Sequence, residues 1–290
     1  MSVVQNNRFQ TLLSVKSQIP LIFGILNVTD DSFSDGGLYS DCEKAVSHAL
    51  QMLACGAAVV DIGAESTRPG SAGRSAAEEL AVLIPVVSEL RRISPSCVIS
   101  VDTRKSEVAR AVLATGADVI NDVSGMSDED MIRVIAETGA GYVLMHTRGT
   151  PETMHDSENL RYADLISDIN VFFTECIHRA ESAGVKKEQI ILDPGIGFAK
   201  NSEDNLKLVR HADSFRMHGC PLLYGVSRKT FLSEFSDGAA PAERDYATVG
   251  ALAYLTMEQV RFVRVHNVSA ARSAMRTFAA CCGGKISCWI

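Results

Sequence analysis

The chain has 290 residues, 46% of them apolar, and carries a net charge of −7. That length and composition suit one large buried core, and with no long Lys/Arg run the chain does not read as a nucleic-acid binder. No stretch reaches the ~18 consecutive apolar residues of a membrane span, and the polar residues 1–10 hold no apolar signal core, so the chain reads as cytoplasmic with no membrane partner.

Residues 1–19 read as a loosely ordered lead-in. The apolar run 21–26 predicts a first strand ending in Asn27, followed by a polar, Gly-rich loop over 29–39 and a helix over 45–54 that Asp41 would cap. A second strand at 59–62 runs into Glu65-Ser66-Thr67-Arg68 and another long loop, 64–75, before a helix over 78–93. A third strand, 98–101, ends in Asp102-Thr103-Arg104 and precedes a helix at 106–113. A fourth, 119–120, ends in Asn121-Asp122 and precedes a helix at 128–137. The fifth strand, 142–145, meets His146 and is followed by the longest helix, 162–183. The sixth, 190–192, meets Asp193 before a helix at 203–217. The seventh, 222–226, runs into Ser227-Arg228-Lys229 before a helix at 244–259, and the eighth, 262–265, meets His266 before a helix at 270–280.

Strands separated by helices pair in parallel. Eight such units without a composition break predict a single-domain α/β protein, a (β/α)8 TIM barrel over 20–280 with a short tail at 281–290. An open doubly wound sheet would want a Gly-x-Gly-x-x-Gly turn after the first strand, and Phe23-Gly24-Ile25-Leu26-Asn27 is not one.

In a TIM barrel the chemistry gathers where the strands end. The first two βα loops exceed the usual ~2–6 residues, and as a neighbouring pair they suggest a lid over substrate. Period-two geometry in Arg261-Phe262-Val263-Arg264-Val265-His266 turns the valines toward the helices, and Arg264 and His266 toward the barrel mouth, where an anion would need them. Asp102, Asn121 and Asp193 end strands three, four and six; each could be a helix N-cap, but together with Lys229 they form a polar set suited to a ring rich in N–H donors. Gly195 and Gly197 would let backbone approach a flat ligand, whereas His146, after strand five, could serve as a base but reads rather as a satisfied core histidine. None of the eight cysteines forms a Cys-x-x-Cys pair, and they read as reduced thiols.

The ordered set of motifs resembles dihydropteroate synthase. It comprises Gly24-Ile25-Leu26-Asn27-Val28-Thr29 with Asp31-Ser32-Phe33-Ser34-Asp35-Gly36-Gly37; Glu65-Ser66-Thr67-Arg68-Pro69-Gly70; Ser100-Val101-Asp102-Thr103; Ile120-Asn121-Asp122; Leu144-Met145-His146; Asp193-Pro194-Gly195-Ile196-Gly197-Phe198; Ser227-Arg228-Lys229; and Arg264-Val265-His266. The resemblance implies a folate-pathway transferase that joins 4-aminobenzoate to 6-hydroxymethyl-7,8-dihydropterin diphosphate with release of diphosphate. It implies a pterin pocket of Asp102, Asn121, Met145, Asp193, Phe198, Gly225 and Lys229, and a diphosphate site of Asn27, Thr67, Arg68, Arg264 and His266. Phe33, Thr67, Pro69 and Ser227 would shape the aminobenzoate pocket, Asn27 would touch Mg²⁺, and Asp35, Lys229, Arg264 and His266 would act at the reacting centre. A homodimer is implied as well. Three positions depart from the family pattern: Asp30 for a usual proline, Ile196 for an aromatic or Met, and Asn267 for an Asp. A pterin-binding methyltransferase barrel, a non-catalytic pterin-binding relative and an unrelated phosphate-binding barrel are the alternatives. The first should lack the Thr67-Arg68-Pro69 loop and the Ser227-Arg228-Lys229 set, and both are present.

Overall fold

Eight parallel strands lie in the order β6-β5-β4-β3-β2-β1-β8-β7. They are β1 (Leu21–Asn27), β2 (Val59–Gly63), β3 (Val98–Asp102), β4 (Val119–Asp122), β5 (Gly141–Met145), β6 (Ile190–Asp193), β7 (Leu223–Tyr224) and β8 (Phe262–Val265). The sheet closes where the Leu192 N–H donates to the Pro221 carbonyl at 2.9 Å, beside a parallel bridge between Leu192 and Leu222. The computed structural model describes residues 7–28, 37–65 and 73–283.

The helices are α1 (Asn7–Ser14), α2 (Gly37–Cys55), α3 (Ala76–Ile93), α4 (Ser106–Thr115), α5 (Glu129–Thr138), α6 (Leu165–Ser182), α7 (Ser202–Arg210), α8 (Asp245–Met257) and α9 (Val268–Cys281). Their starts follow local chemistry. Ser75 and Glu78 form a capping box at α3, Asp128 caps α5, Asp164 accepts two backbone N–H groups at α6, and Asn201 caps α7. Several expectations change: β7 is two residues long rather than five, and α2, with 19 residues, is longer than α6 with 18. Asp41 does not cap α2, which begins at Gly37, and the predicted helix over 203–217 stops at Arg210, continuing as 3₁₀ turns over Ala212–His218.

Alternation along each strand sorts the side chains into two sets. Outward residues such as Val60, Ile62, Ile99, Val101, Leu144, Leu192, Val263 and Val265 pack with the helices in the main core. The lowest inward residues, Phe23, Val59, Val98, Val119, Val143, Ile191, Leu223 and Phe262, form a second apolar cluster inside the barrel. Helix α1 plugs that cluster from below with Phe9 and Leu12, so residues 7–14 are an integral part of the barrel rather than a loose lead-in. The Arg261 guanidinium, just ahead of β8, donates to the carbonyls of Leu12, Leu13 and Val15 and so satisfies the C-terminal end of α1. Arg8 pairs with the buried Asp118, which also accepts from Arg91 and from the Ile99 N–H.

Candidate active site

Two residues above the apolar layer, the inward positions read Ile25, Asp61, Ser100, Asn121, Met145, Asp193, Gly225 and Arg264. The change from oil to charge occupies a single strand repeat. Arg264 sits at its centre. Its Nε donates to Asp61 Oδ2 at 2.6 Å and its Nη2 to Asp102 Oδ2 at 2.8 Å, while Asn121 Nδ2 donates to Asp61 Oδ2 at 3.2 Å. Asp61 is a fully buried carboxylate that reading the strand ends missed, because it lies inside the run Val59-Val60-Asp61-Ile62. The signal was a charge at an inward position of a strand otherwise fit only for a core; burying such a group demands a partner.

None of the three candidate carboxylate or amide caps performs that role. Lys105, Asp128 and Asn201 occupy the N-cap positions of α4, α5 and α7, leaving Asp102 and Asn121 to face the mouth. Asp193 accepts the Gly195 N–H at 2.7 Å, which holds one carboxylate oxygen and leaves acceptor capacity on the other. Burial raises Asp193 to about 6 and Asp102 to about 7, the latter also pushed up by Asp61, Glu79 and Asp122 and pulled down by Arg264. Lys229 follows β7 with its Nζ 4.2 Å from the centre of the Phe198 ring; burial and the charge of Arg264 lower it to about 8. Met145 is buried at the end of β5. The two loop glycines are also required by packing. A side chain on Gly195 (φ +74°) would lie 2.0 Å from the His146 carbonyl oxygen, and one on Gly197 (φ +80°) 3.0 Å from Lys229 Cδ, so they let the β6 loop close on its neighbours.

The residues expected at an anion rim lie toward β1 and β8, beside an open groove of about 520 Å³ bordered by Asn27, Arg228, His266, Asn267 and Ser269. Ser227 Oγ lies 2.9 Å from His266 Nδ1 and accepts the His266 backbone N–H at 3.2 Å, so its own hydrogen is free for Nδ1. With the hydroxyl donating to Nδ1, the imidazole proton sits on Nε2. Burial, with Arg264, Arg228 and Lys229 nearby, lowers His266 to about 3, so before an anion arrives it is a neutral N–H donor rather than a cation. Asn267 caps α9 through its Oδ1, and its Nδ2 donates to Asp245 Oδ2 at 3.0 Å; Asp245 also takes a two-pronged bond from Arg228. The carboxylate expected at 267 is thus supplied from α8, and Asn267 pairs with it where an Asp would repel it. His146 is a satisfied core group, as expected: buried, neutral and lowered to about 2 by its surroundings, with Phe172 edge-on at 4.9 Å.

Asp30, Phe33, Asp35, Thr67, Arg68 and Pro69 lie outside the described residues. Among the residues the structure does describe, it brings Asn27, Asp102, Asn121, Met145, Asp193, Phe198, Ser227, Lys229, Arg264 and His266 to the C-terminal face of one barrel. Among them, no group of three His, Cys, Asp or Glu side chains is arranged to hold a metal ion, and no helix is long and apolar enough to cross a membrane.

A closed barrel with a buried donor-acceptor floor and hydrogen-bond donors around its mouth fits a class of enzymes that hold a flat heterocycle carrying an anionic group. The Pterin binding enzyme family profile matches residues 23–266. Dihydropteroate synthase of Escherichia coli K12 is 40% identical over 266 residues, covering 92% of this chain and 93% of its own. Xanthomonas albilineans dihydropteroate synthase with 4-aminobenzoic acid superposes with a TM-score of 0.84 at 36% identity, covering 91% of this chain and 94% of its own. The same enzyme in complex with 7,8-dihydropteroate superposes with a TM-score of 0.81 at 34% identity, with the same shares covered. The chain belongs to the dihydropteroate synthase family of pterin-binding transferases.

Proposed function

We propose that the chain joins 4-aminobenzoate to 6-hydroxymethyl-7,8-dihydropterin diphosphate and releases diphosphate. The observation that carries this reading is the convergence of Asp102, Asn121, Asp193, Lys229 and Arg264 in one mouth, tied together by Arg264 and the buried Asp61. A pterin presents an amino group and a ring N–H side by side, and the Asp193 carboxylate can accept from both. Asn121 and Asp102 complete that edge, Lys229 donates to the ring carbonyl and nitrogen, and Met145, Phe198 and the Gly225 backbone flank the ring.

The chemical step breaks the C–O bond between the pterin methylene and diphosphate and forms a C–N bond to the aryl amine. The bonding pair leaves with diphosphate, and the amine nitrogen sheds its proton afterwards. The arylamine is a weak base, so orientation contributes more than deprotonation, and no covalent enzyme intermediate is needed. Arg264 and the Nε2–H of His266 are placed to meet charge as it grows on the departing oxygen. Ser227 joins His266 to the aminobenzoate side. Thr67, Arg68, Pro69, Phe33 and Asp35 keep the diphosphate, aminobenzoate and reacting-centre roles that the family pattern implies.

Mg²⁺ would be held by Asn27 at the end of β1. A single amide oxygen fits an ion that keeps waters and shares the substrate's phosphates, as Mg²⁺ commonly does. Its contribution would be to neutralise charge on the departing diphosphate. A homodimer belongs to the same proposal. Helix α8 exposes Tyr246 (91%) and Met257, which share a helical face with Gly250, and exposed apolar groups of that kind suit a second copy. Work in the cytoplasm accords with the free state of the seven cysteines described. The test is a diphosphate-release assay: release should require both substrates and Mg²⁺, and release independent of 4-aminobenzoate would contradict the reading.

A further inference from the structure

Lys200 is buried directly behind the pterin floor, 3% exposed, and the reaction outlined above does not use it. Its Nζ lies 3.0 Å from His146 Nδ1 and donates to the carbonyls of Phe198 (2.8 Å) and His146 (3.4 Å). Among the described residues no carboxylate is within ion-pair distance of it. A buried ammonium without such a partner is costly to retain for packing alone. Its position gives it a use. Nζ lies 3.3 Å from where a Gly195 side chain would begin, and the Gly195 N–H donates to the Asp193 carboxylate. The two carbonyls it binds belong to the β6 loop and to the end of β5, the segments that carry Phe198 and Met145. The rest of the loop is braced independently, by the Tyr162 hydroxyl donating to the Ala199 carbonyl and by Asn205, which accepts the Gly197 N–H and donates to the Lys200 carbonyl.

We propose that Lys200 is a positioning residue for this reaction: from beneath the floor its ammonium pins the β6 loop to the end of β5 and adds to Lys229 and Arg264 in favouring the Asp193 carboxylate that the pterin needs. The inference rests on Asp193 being the pterin acceptor. Asp193 also faces Lys229 from the β7 loop and Arg264 from β8, and neither touches the β6 loop carbonyls that Lys200 holds. Lys200 in turn faces His146 and Arg148 after β5, Asp204 on α7, Asp193, and Lys229. Burial lowers Lys200 to about 7, Asp193 and Asp204 working against that and Arg148 and Lys229 with it. Its charge is therefore present at pH 6 and largely gone at pH 8.

The experiment is calorimetric binding of 6-hydroxymethyl-7,8-dihydropterin, without diphosphate, between pH 5.5 and 8. It compares the parent protein with Lys200→Gln, Lys200→Met and Asp193→Asn. Lys200→Gln keeps a donor for the Phe198 carbonyl and decides the matter if Lys200→Met does not fold. Protonation of the ligand itself is common to all variants and cancels. Loss of the ammonium should move the acid limb of affinity upward by about half a unit, weakening binding by about twofold at pH 6 and nearer threefold at pH 5.5, with near-parent affinity at pH 8. A pH-independent loss, as a purely structural brace would give, or an unmoved limb overturns the proposal. If Asp193→Asn binds like the parent, the pterin assignment itself fails; if Asp193→Asn is weak while the Lys200 variants show no shift, only the role of Lys200 fails.

Discussion

The same eight strands build two interiors that differ completely. At the bottom of the barrel the inward layer is apolar throughout and sealed by Phe9 of α1. Two residues further along each strand the layer holds Asp61, Ser100, Asn121, Asp193 and Arg264. The lower layer follows the rule of close packing. The upper one contradicts it, burying more carboxylates than the cation among them can neutralise, and the raised values of Asp102 and Asp193 register that cost. Stability and function are therefore assigned to different heights of one tube, and the molecule tolerates the strain above because the layer beneath is complete.

The largest way to test that separation is Arg264→Ala. It removes the donor that links Asp61, Asp102 and the anion rim, and kcat/KM should fall by roughly 10²–10³-fold. Because two buried carboxylates lose their partner, affinity for the free hydroxymethyl pterin and thermal stability should fall as well. A loss confined to the diphosphate ester would place Arg264 on the rim alone. At the opposite end, Phe9→Ala should cost on the order of 3 kcal/mol of stability, read by denaturant unfolding, and leave KM for both substrates unchanged. A shifted pterin KM in a protein of undiminished stability would show that the two layers are not separate.

Asp102→Asn sharpens the comparison through pH. The Asp102 carboxyl has an ordinary value of 3.8 and is raised to about 7 in the barrel, so holding it ionised costs stability above pH 7. That cost shrinks as the pH falls through 7 and the group is protonated in place. Asparagine removes the charge, so Tm at pH 8 should rise by roughly 2–4 °C, the difference from the parent should narrow toward pH 5, and pterin affinity should drop. A variant that is less stable at pH 8 would mean that the ion pair with Arg264 outweighs the burial cost. The smallest effect is expected at the rim. Asn267→Asp sets a second carboxylate beside Asp245 and should raise KM for the diphosphate ester by about threefold or less, with Arg228 absorbing most of the added charge; unchanged kinetics would free the rim from this network.

Much of this is legible in the amino-acid sequence. Polar residues at the ends of apolar runs marked β3, β4, β6 and β8, and the βα rhythm marked the barrel, because period-two and period-3.6 patterns follow directly from burial. Asp61 was not legible from strand ends, since a lone charge within an apolar run reveals its meaning only once register sets it beside Ser100 and within reach of Arg264. Lys200 escaped for a similar reason: its partners are carbonyls and His146, fifty-four residues away, and no local spacing encodes them. Helix α1 was missed because eight residues with three well-spaced apolar groups form a marginal helix alone; the barrel floor and the Arg261 cap stabilise it.

The most direct measurement is a crystal structure of this chain with 6-hydroxymethylpterin bound. The ring should lie on the charged upper layer, with its amino group and adjacent ring N–H on the Asp193 carboxylate, Asn121 and Asp102 within hydrogen-bond reach, and Lys229 at its carbonyl. A ring seated elsewhere in the mouth, or bound without contact to Asp193, would contradict the account.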